Sequence, residues 1–171
     1  SMKKNTVVFF CLILLILLAG QAYSQSSNPE EDRVLTSAET IFKMMHLKNY
    51  KGIWDCLTEK SKQRIVDDTF KDILKISKEN KKFVTYTKDM VFNDFEAAGT
   101  IAKEYWDAFL DNFDPVTVLE QSTWKMGKIE PNYAEVIIHY RKSERPAILQ
   151  MFKEKGIWKT GLVETFWTLI R

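Results

Sequence analysis

The sequence predicts an α+β fold, with N-terminal helices packed in a curved, mostly antiparallel sheet. Three observations predict it. Between residues 35 and 110 apolar side chains recur mostly at helical spacing. From Asp114-Pro115 onward, β-branched and aromatic residues dominate and turn signals come at short intervals. No repeat, low-complexity tract or break separates the two halves, so helices followed by a meander belong to one domain.

The chain begins with a segment that reads as an address. Ser1 ahead of Met2 looks like a cloning remnant. Lys3 and Lys4 form a positive n-region, Val7 to Ala19 is an apolar run, and Ala22-Tyr23-Ser24 offers small residues for cleavage before Gln25. Residues 1–24 are therefore expected to be a signal peptide, and the protein to be periplasmic or secreted. The apolar run is shorter than the roughly 20 residues a membrane span needs. Leu18-Ala19-Gly20-Gln21 resembles a lipoprotein box, but Gln21 has no thiol to acylate, so no stable membrane anchor is expected.

Cleavage would leave 147 of the 171 residues, an ordinary single-domain length. The 25 Lys and Arg would fall to 23 by the loss of Lys3 and Lys4, matching the 23 Asp and Glu. A chain with zero formal charge exerts no global pull on nucleic acid, and no nucleic-acid partner is expected. Cys11 would leave with the signal, so Cys56 is alone and reads as a small packed hydrophobe between Trp54 and Leu57.

Residues 25–34 read as a loose tether, with Pro29 and the acids Glu30, Glu31 and Asp32. Residues 35–171 read as the folded domain. Thr36-Ser37-Ala38-Glu39 is a capping-box pattern. Leu35, Ala38, Ile41, Phe42 and Met45 follow as one stripe. Asn49 to Gly52 interrupts, and Ile53, Trp54 and Leu57 form a short second helix. Thr58 caps the next helix, with Ile65, Val66, Phe70, Ile73, Leu74 and Ser77 on one face and the charges Asp67, Asp68, Lys71 and Lys75 turned away. Residues 81–89 alternate like a short strand. Asp94 is the expected cap of a third amphipathic helix reaching Leu110.

Four strands are then expected, at 116–126, 132–142, 146–154 and 157–168. Gly156 is placed to supply the positive φ of a tight final hairpin. The core is expected to hold Ile41, Met45, Trp54, Phe70, Ile73, Ile101, Tyr105, Val136, Ile138, Leu149 and Leu162.

The stretch TIFKMMHLKNYKGIWDCLTEKSKQRI resembles the first helical unit of nuclear-transport-factor-2-like (cystatin-like) domains. An amphipathic helix, a polar N-Y break and an apolar W-x-x-L-T helix precede a capped continuation there. The terminal FKEKGIWKTGLV is similar to the closing hairpin of those domains. The resemblance covers most of Thr36 to Trp167. It implies a cone, a curved sheet wrapped around helices with an apolar cavity at its open end. Members use that cavity for isomerisation, dehydration or cyclisation, or for binding ligands and proteins, so fold alone does not settle function.

Chemistry-bearing residues are sparse. His46, His139 and Cys56 show no zinc-type spacing, so no metal is expected. The 6 glycines form neither GxGxxG nor GxxxxGK, no GxSxG elbow occurs, and no cofactor is expected. Trp124, Trp158 and Trp167 could form a single-strand platform only with basic residues clustered beside them, and the balanced charge and export signal argue against it.

His139 is the better of the two histidines as a general base, although it also reads as a surface residue beside Glu and Arg. Glu164, on a strand face with Trp158, Thr160, Leu162 and Phe166, is a candidate carboxylate if buried. Two readings follow. One is an exported, non-enzymatic binding or interaction module whose cavity takes a small apolar ligand or a partner segment, lined by Tyr133, His139, Trp158 and Phe166. The other is a small isomerase or dehydratase using His139 and Glu164. The missing acid–base signature favours the first, and a homodimer is compatible with either.

Overall fold

A computed structural model describes residues 28–81 and 85–167. The lysine pair, the apolar run and the cleavage motif lie outside the described residues, as do residues 82–84. The elements are α1 (Pro29–His46), α2 (Tyr50–Cys56), α3 (Glu59–Glu79), α4 (Lys88–Glu96), α5 (Thr100–Leu110), α6 (Pro115–Glu120), β1 (Ser122–Ile129), β2 (Tyr133–Tyr140), β3 (Ala147–Glu154), β4 (Ile157–Thr160) and α7 (Leu162–Phe166). The fold is α+β, as the sequence predicts. Its four strands form one open antiparallel sheet in the order β1-β2-β3-β4, consistent with a cone-like arrangement.

The sheet has one apolar face, read directly from alternation. Ala134, Val136 and Ile138 of β2 are buried, as are Leu149 and Met151 of β3 and Trp158 and Thr160 of β4. The register brings them together: Val136 pairs with Leu149, Ala134 with Met151, and Met151 with Thr160. Helix α1 lies across this face, burying Val34, Ala38, Ile41, Phe42 and Met45. A chain of aromatic rings then crosses the core. Trp54 stacks on Phe95 at 4.8 Å, and Phe95 meets Tyr105, Tyr105 meets Trp106 and Trp106 meets Phe109 at 5.0–5.7 Å. Phe113 and Phe42 continue the chain to Trp124 of β1. Most of these contacts are edge-on or tilted, as ring quadrupoles favour.

The expected core is buried at Ile41, Met45, Trp54, Val136, Ile138, Leu149 and Leu162. Phe70, Ile73, Ile101 and Tyr105 are only half-buried. In the second half of α3, Leu74 and Ile76 are exposed as well.

Six local expectations give way to the structure. The tether read over 25–34 contains the true helix start. Asn28 Oδ1 accepts from the Glu30 amide at 3.1 Å, Pro29 opens the helix, and the three acids fill its first turn. The capping-box pattern at Thr36 lies inside α1. At 81–89, residues 85–87 are irregular and Thr87 caps α4, so the described part of that segment is not a strand.

The third helix is really two, because Ala98 adopts φ 50°. Asp94 lies inside α4 and Gly99 is the N-cap of α5, but the Asp94 Oδ1 still accepts from the Ala102 amide at 2.8 Å. Gly99 lets that carboxylate through, since a Cβ there would collide with it. The first expected strand opens instead as α6, capped by Asp114, whose carboxylate accepts from the Val116 amide and the Thr117 hydroxyl.

The last strand stops at Thr160. Lys155 and Gly156, both at positive φ, make the tight turn between β3 and β4, as expected of Gly156. Gly161 then turns the chain into α7 rather than continuing the strand. The Gln150 amide, which faces the continuation, donates to Thr165 Oγ1 at 2.9 Å, and Gln150 Nε2 donates to the Glu164 carbonyl. Helix α7 thereby takes the place of a longer β4.

Candidate functional site

Among the described residues, the end of the core where the ring chain passes from α5 to α1 is incompletely filled. A pocket of about 430 Å³ opens there, within the size range of small-molecule sites. Helix α1 gives it Phe42 and Met45, and α5 gives Phe109. The turn after α5 adds Asn112 and Phe113, while α7 and the residue after it add Leu162, Phe166 and Trp167. Asn112 is the polar member, its Nδ2 donating to the Ala108 carbonyl at 3.2 Å. None of these eight side chains is ionisable.

Two connections position the lining. The first is the step at Gly161. It sends α7 back over the core and so aims Leu162 and Phe166 inward. A Cβ at Gly161 would lie 2.7 Å from the Phe152 ring and 3.0 Å from the Gln150 carbonyl, so only glycine fits. The second is a buried polar cluster that clamps α7 to α3. Glu164 accepts from Thr58 Oγ1 at 2.8 Å and from Ser61 Oγ at 2.6 Å. Ser61 Oγ in turn accepts from the Val163 amide at 3.0 Å. Thr58, the N-cap of α3, also accepts from the Ser61 amide.

Beyond Phe42, Phe113 and Phe166 lies a second space of about 210 Å³. The three rings are common to both linings. Val118, Ile138 and Ala147 continue the apolar wall, and Ser122, Tyr140, Ser143 and Arg145 make its far end polar.

The sequence-derived lining residues scatter. Phe166 lines both spaces. Tyr133 stands on the opposite, outer face of the sheet, its ring 5.4 Å from Phe152 and its hydroxyl donating to Glu135. His139 shares that outer parity and is exposed, with Nε2 2.9 Å from the Ser143 carbonyl. Trp158 faces inward but at the other end of α1, where Nε1 donates to Glu30 Oε1 at 2.9 Å. His139 and Glu164 are not brought together: one is on the outer surface of β2, the other is buried between α3 and α7.

The residues missed by sequence reasoning are Phe42, Met45, Phe109, Asn112, Phe113, Leu162 and Trp167. Phe42, Met45 and Phe109 read correctly as helix-face apolar positions, Leu162 and Trp167 as strand residues, and nothing in a sequence separates a ring packed in the core from one bordering a void.

Among the described residues no group of three or more His, Cys, Asp and Glu is arranged to hold a metal ion, and no helix is long and apolar enough to cross a membrane. The Cys56 thiol is pushed up to about 11 by burial, which leaves it protonated at neutral pH. Compared with known proteins, the chain matches no family model, no curated protein and no solved structure.

Proposed function

We propose that this protein is an exported, non-enzymatic binding module of the nuclear-transport-factor-2-like kind, and that it takes a small apolar ligand between α1, α5 and α7. The observation that carries the reading is the pocket itself: about 430 Å³ walled by Phe42, Met45, Phe109, Phe113, Leu162 and Phe166 with no ionisable group. Apolar pockets of that size with one or two polar groups are the usual form of small-ligand sites. A dehydratase or isomerase would need an acid or base at the reacting carbon, and this lining supplies none. Export rests on the residues before Gln25 described above.

The test is to purify the protein without denaturation, extract it with organic solvent and identify by mass spectrometry what is released. A stoichiometric apolar compound is expected from the wild type. Asn112→Trp, which puts a large ring into the pocket from an exposed position, should release none. Equal yields from both proteins would contradict the assignment of the site.

A further inference from the structure

The second space gives the pocket a direction. One end, around Met45, Phe109 and Leu162, is apolar apart from Asn112, while the other ends on Ser122, Tyr140, Ser143 and Arg145. Two of these groups are unpaired. Ser122 Oγ is buried and has no hydrogen-bond partner among the described residues. A buried hydroxyl left so is costly and calls for a partner. The Arg145 guanidinium makes no ion pair among the described residues, and the loop from Arg141 to Arg145 sets three cations against the single carboxylate of Glu144.

The sheet register holds the polar end together. Ser122 pairs with Tyr140 and Ile138 with Ala147, so the hydroxyl, the phenol and the apolar wall sit on adjacent strands at one end of the sheet. Ser143 is fixed by its own loop, its Oγ donating to the Arg145 carbonyl at 2.8 Å and accepting from the Arg145 amide at 3.3 Å. That pairing shapes the backbone on which the guanidinium is carried.

Resting on the small-ligand reading, we propose that the ligand is a monoanionic amphiphile, an unbranched carboxylate. Its chain lies among Phe42, Met45, Phe109 and Phe166, and its carboxylate lies between Arg145 and the hydroxyls of Ser122 and Tyr140. Arginine suits a carboxylate because its planar fork matches the two oxygens. The rings of Phe42, Phe113 and Phe166, common to both linings, are where the chain passes from one space to the other in this reading.

Decanoate and decan-1-ol, both below their aggregation limits, are titrated into the wild-type protein and into Arg145→Gln by calorimetry. They share a chain and differ in the charge of the head. Decanoate is expected to bind the wild type about tenfold more tightly than decan-1-ol, the scale of a hydrogen-bonded charge at a partly exposed site. Arg145→Gln should abolish that preference by weakening decanoate far more than decan-1-ol, and added salt should narrow it in the wild type only.

Equal binding of the two compounds, with no response to Arg145→Gln, would overturn the anionic-head proposal while leaving the apolar pocket standing. Failure of both to bind would overturn the pocket reading as well. Binding to phosphatidylglycerol vesicles without any response to monomeric decanoate would also overturn it, in favour of a membrane surface.

Discussion

Ser61 Oγ donates a 2.6 Å hydrogen bond to Glu164 Oε2, joining the first turn of α3 to α7 across 103 residues of sequence. With Thr58 on the other oxygen, this bond fixes the short helix that carries Leu162 and Phe166 into the pocket. A five-residue helix cannot hold itself, since isolated helices of that length do not form. Its place depends on the carboxylate.

Glu164→Ala leaves two buried hydroxyls without their acceptor and should lower stability by about 2–4 kcal/mol. Glu164→Gln keeps an oxygen acceptor and should cost less. Urea unfolding of both variants measures the difference. An alanine variant as stable as the wild type would show that packing and the remaining hydrogen bonds to Gln150 and Ser61 hold α7 without the carboxylate.

Trp54 is the anchor of the other end of the core. It is fully buried, stacks on Phe95 at 4.8 Å, and donates through Nε1 to Glu96 at 2.8 Å. Trp54→Ala should cost about 3–5 kcal/mol, read from the same unfolding curves. A loss under ~1 kcal/mol would mean that α2 is docked differently.

Much of this was legible. The stripe Ile41-Phe42-Met45, the cap at Thr58, the inward set Val136-Ile138 and the turn at Gly156 follow from periodicity and turn chemistry. What was not legible depended on partners distant in sequence. Glu30 looks like linker acid until Lys153 and Trp158 arrive from the sheet to meet it. Val163 to Phe166 reads as strand because β-branched and aromatic residues favour strands. The side chain of Thr165 nonetheless takes the Gln150 amide that a strand would have taken. The pocket was least legible, being a property of volume left over after packing.

Glu30 supplies a pH test. Its hydrogen bonds from Lys153 and Trp158 hold the carboxyl below its ordinary value of 4.5. A carboxyl with a lowered folded pKa stabilises fully above the unfolded value and loses that contribution as pH falls through the folded one. Melting temperature should therefore drop below pH 4.5 more steeply in the wild type than in Glu30→Gln. Parallel profiles would contradict the link between α1 and β4.

At alkaline pH the pair Tyr50–Asp107 gives the opposite sign. The Tyr50 hydroxyl donates to the Asp107 carboxylate, which pushes the phenol from 10.0 up to about 12. Its stabilisation is whole below 10 and fades as pH rises toward 12. In Asp107→Asn the Tyr50 titration, followed by carbon NMR of labelled tyrosine, should fall back toward 10. No movement would assign the shift to burial instead.

The occupancy of the pocket is tested most directly by methyl NMR of protein labelled at methionine and leucine while decan-1-ol is titrated in. Met45 and Leu162 border the pocket, whereas Met151 and Leu149 lie in the sheet core outside its lining. Saturable shifts at Met45 and Leu162, with Met151 and Leu149 unmoved, are the predicted result. Shifts confined to methyls outside the pocket, such as that of the exposed Met90, would contradict an apolar ligand site between α1, α5 and α7.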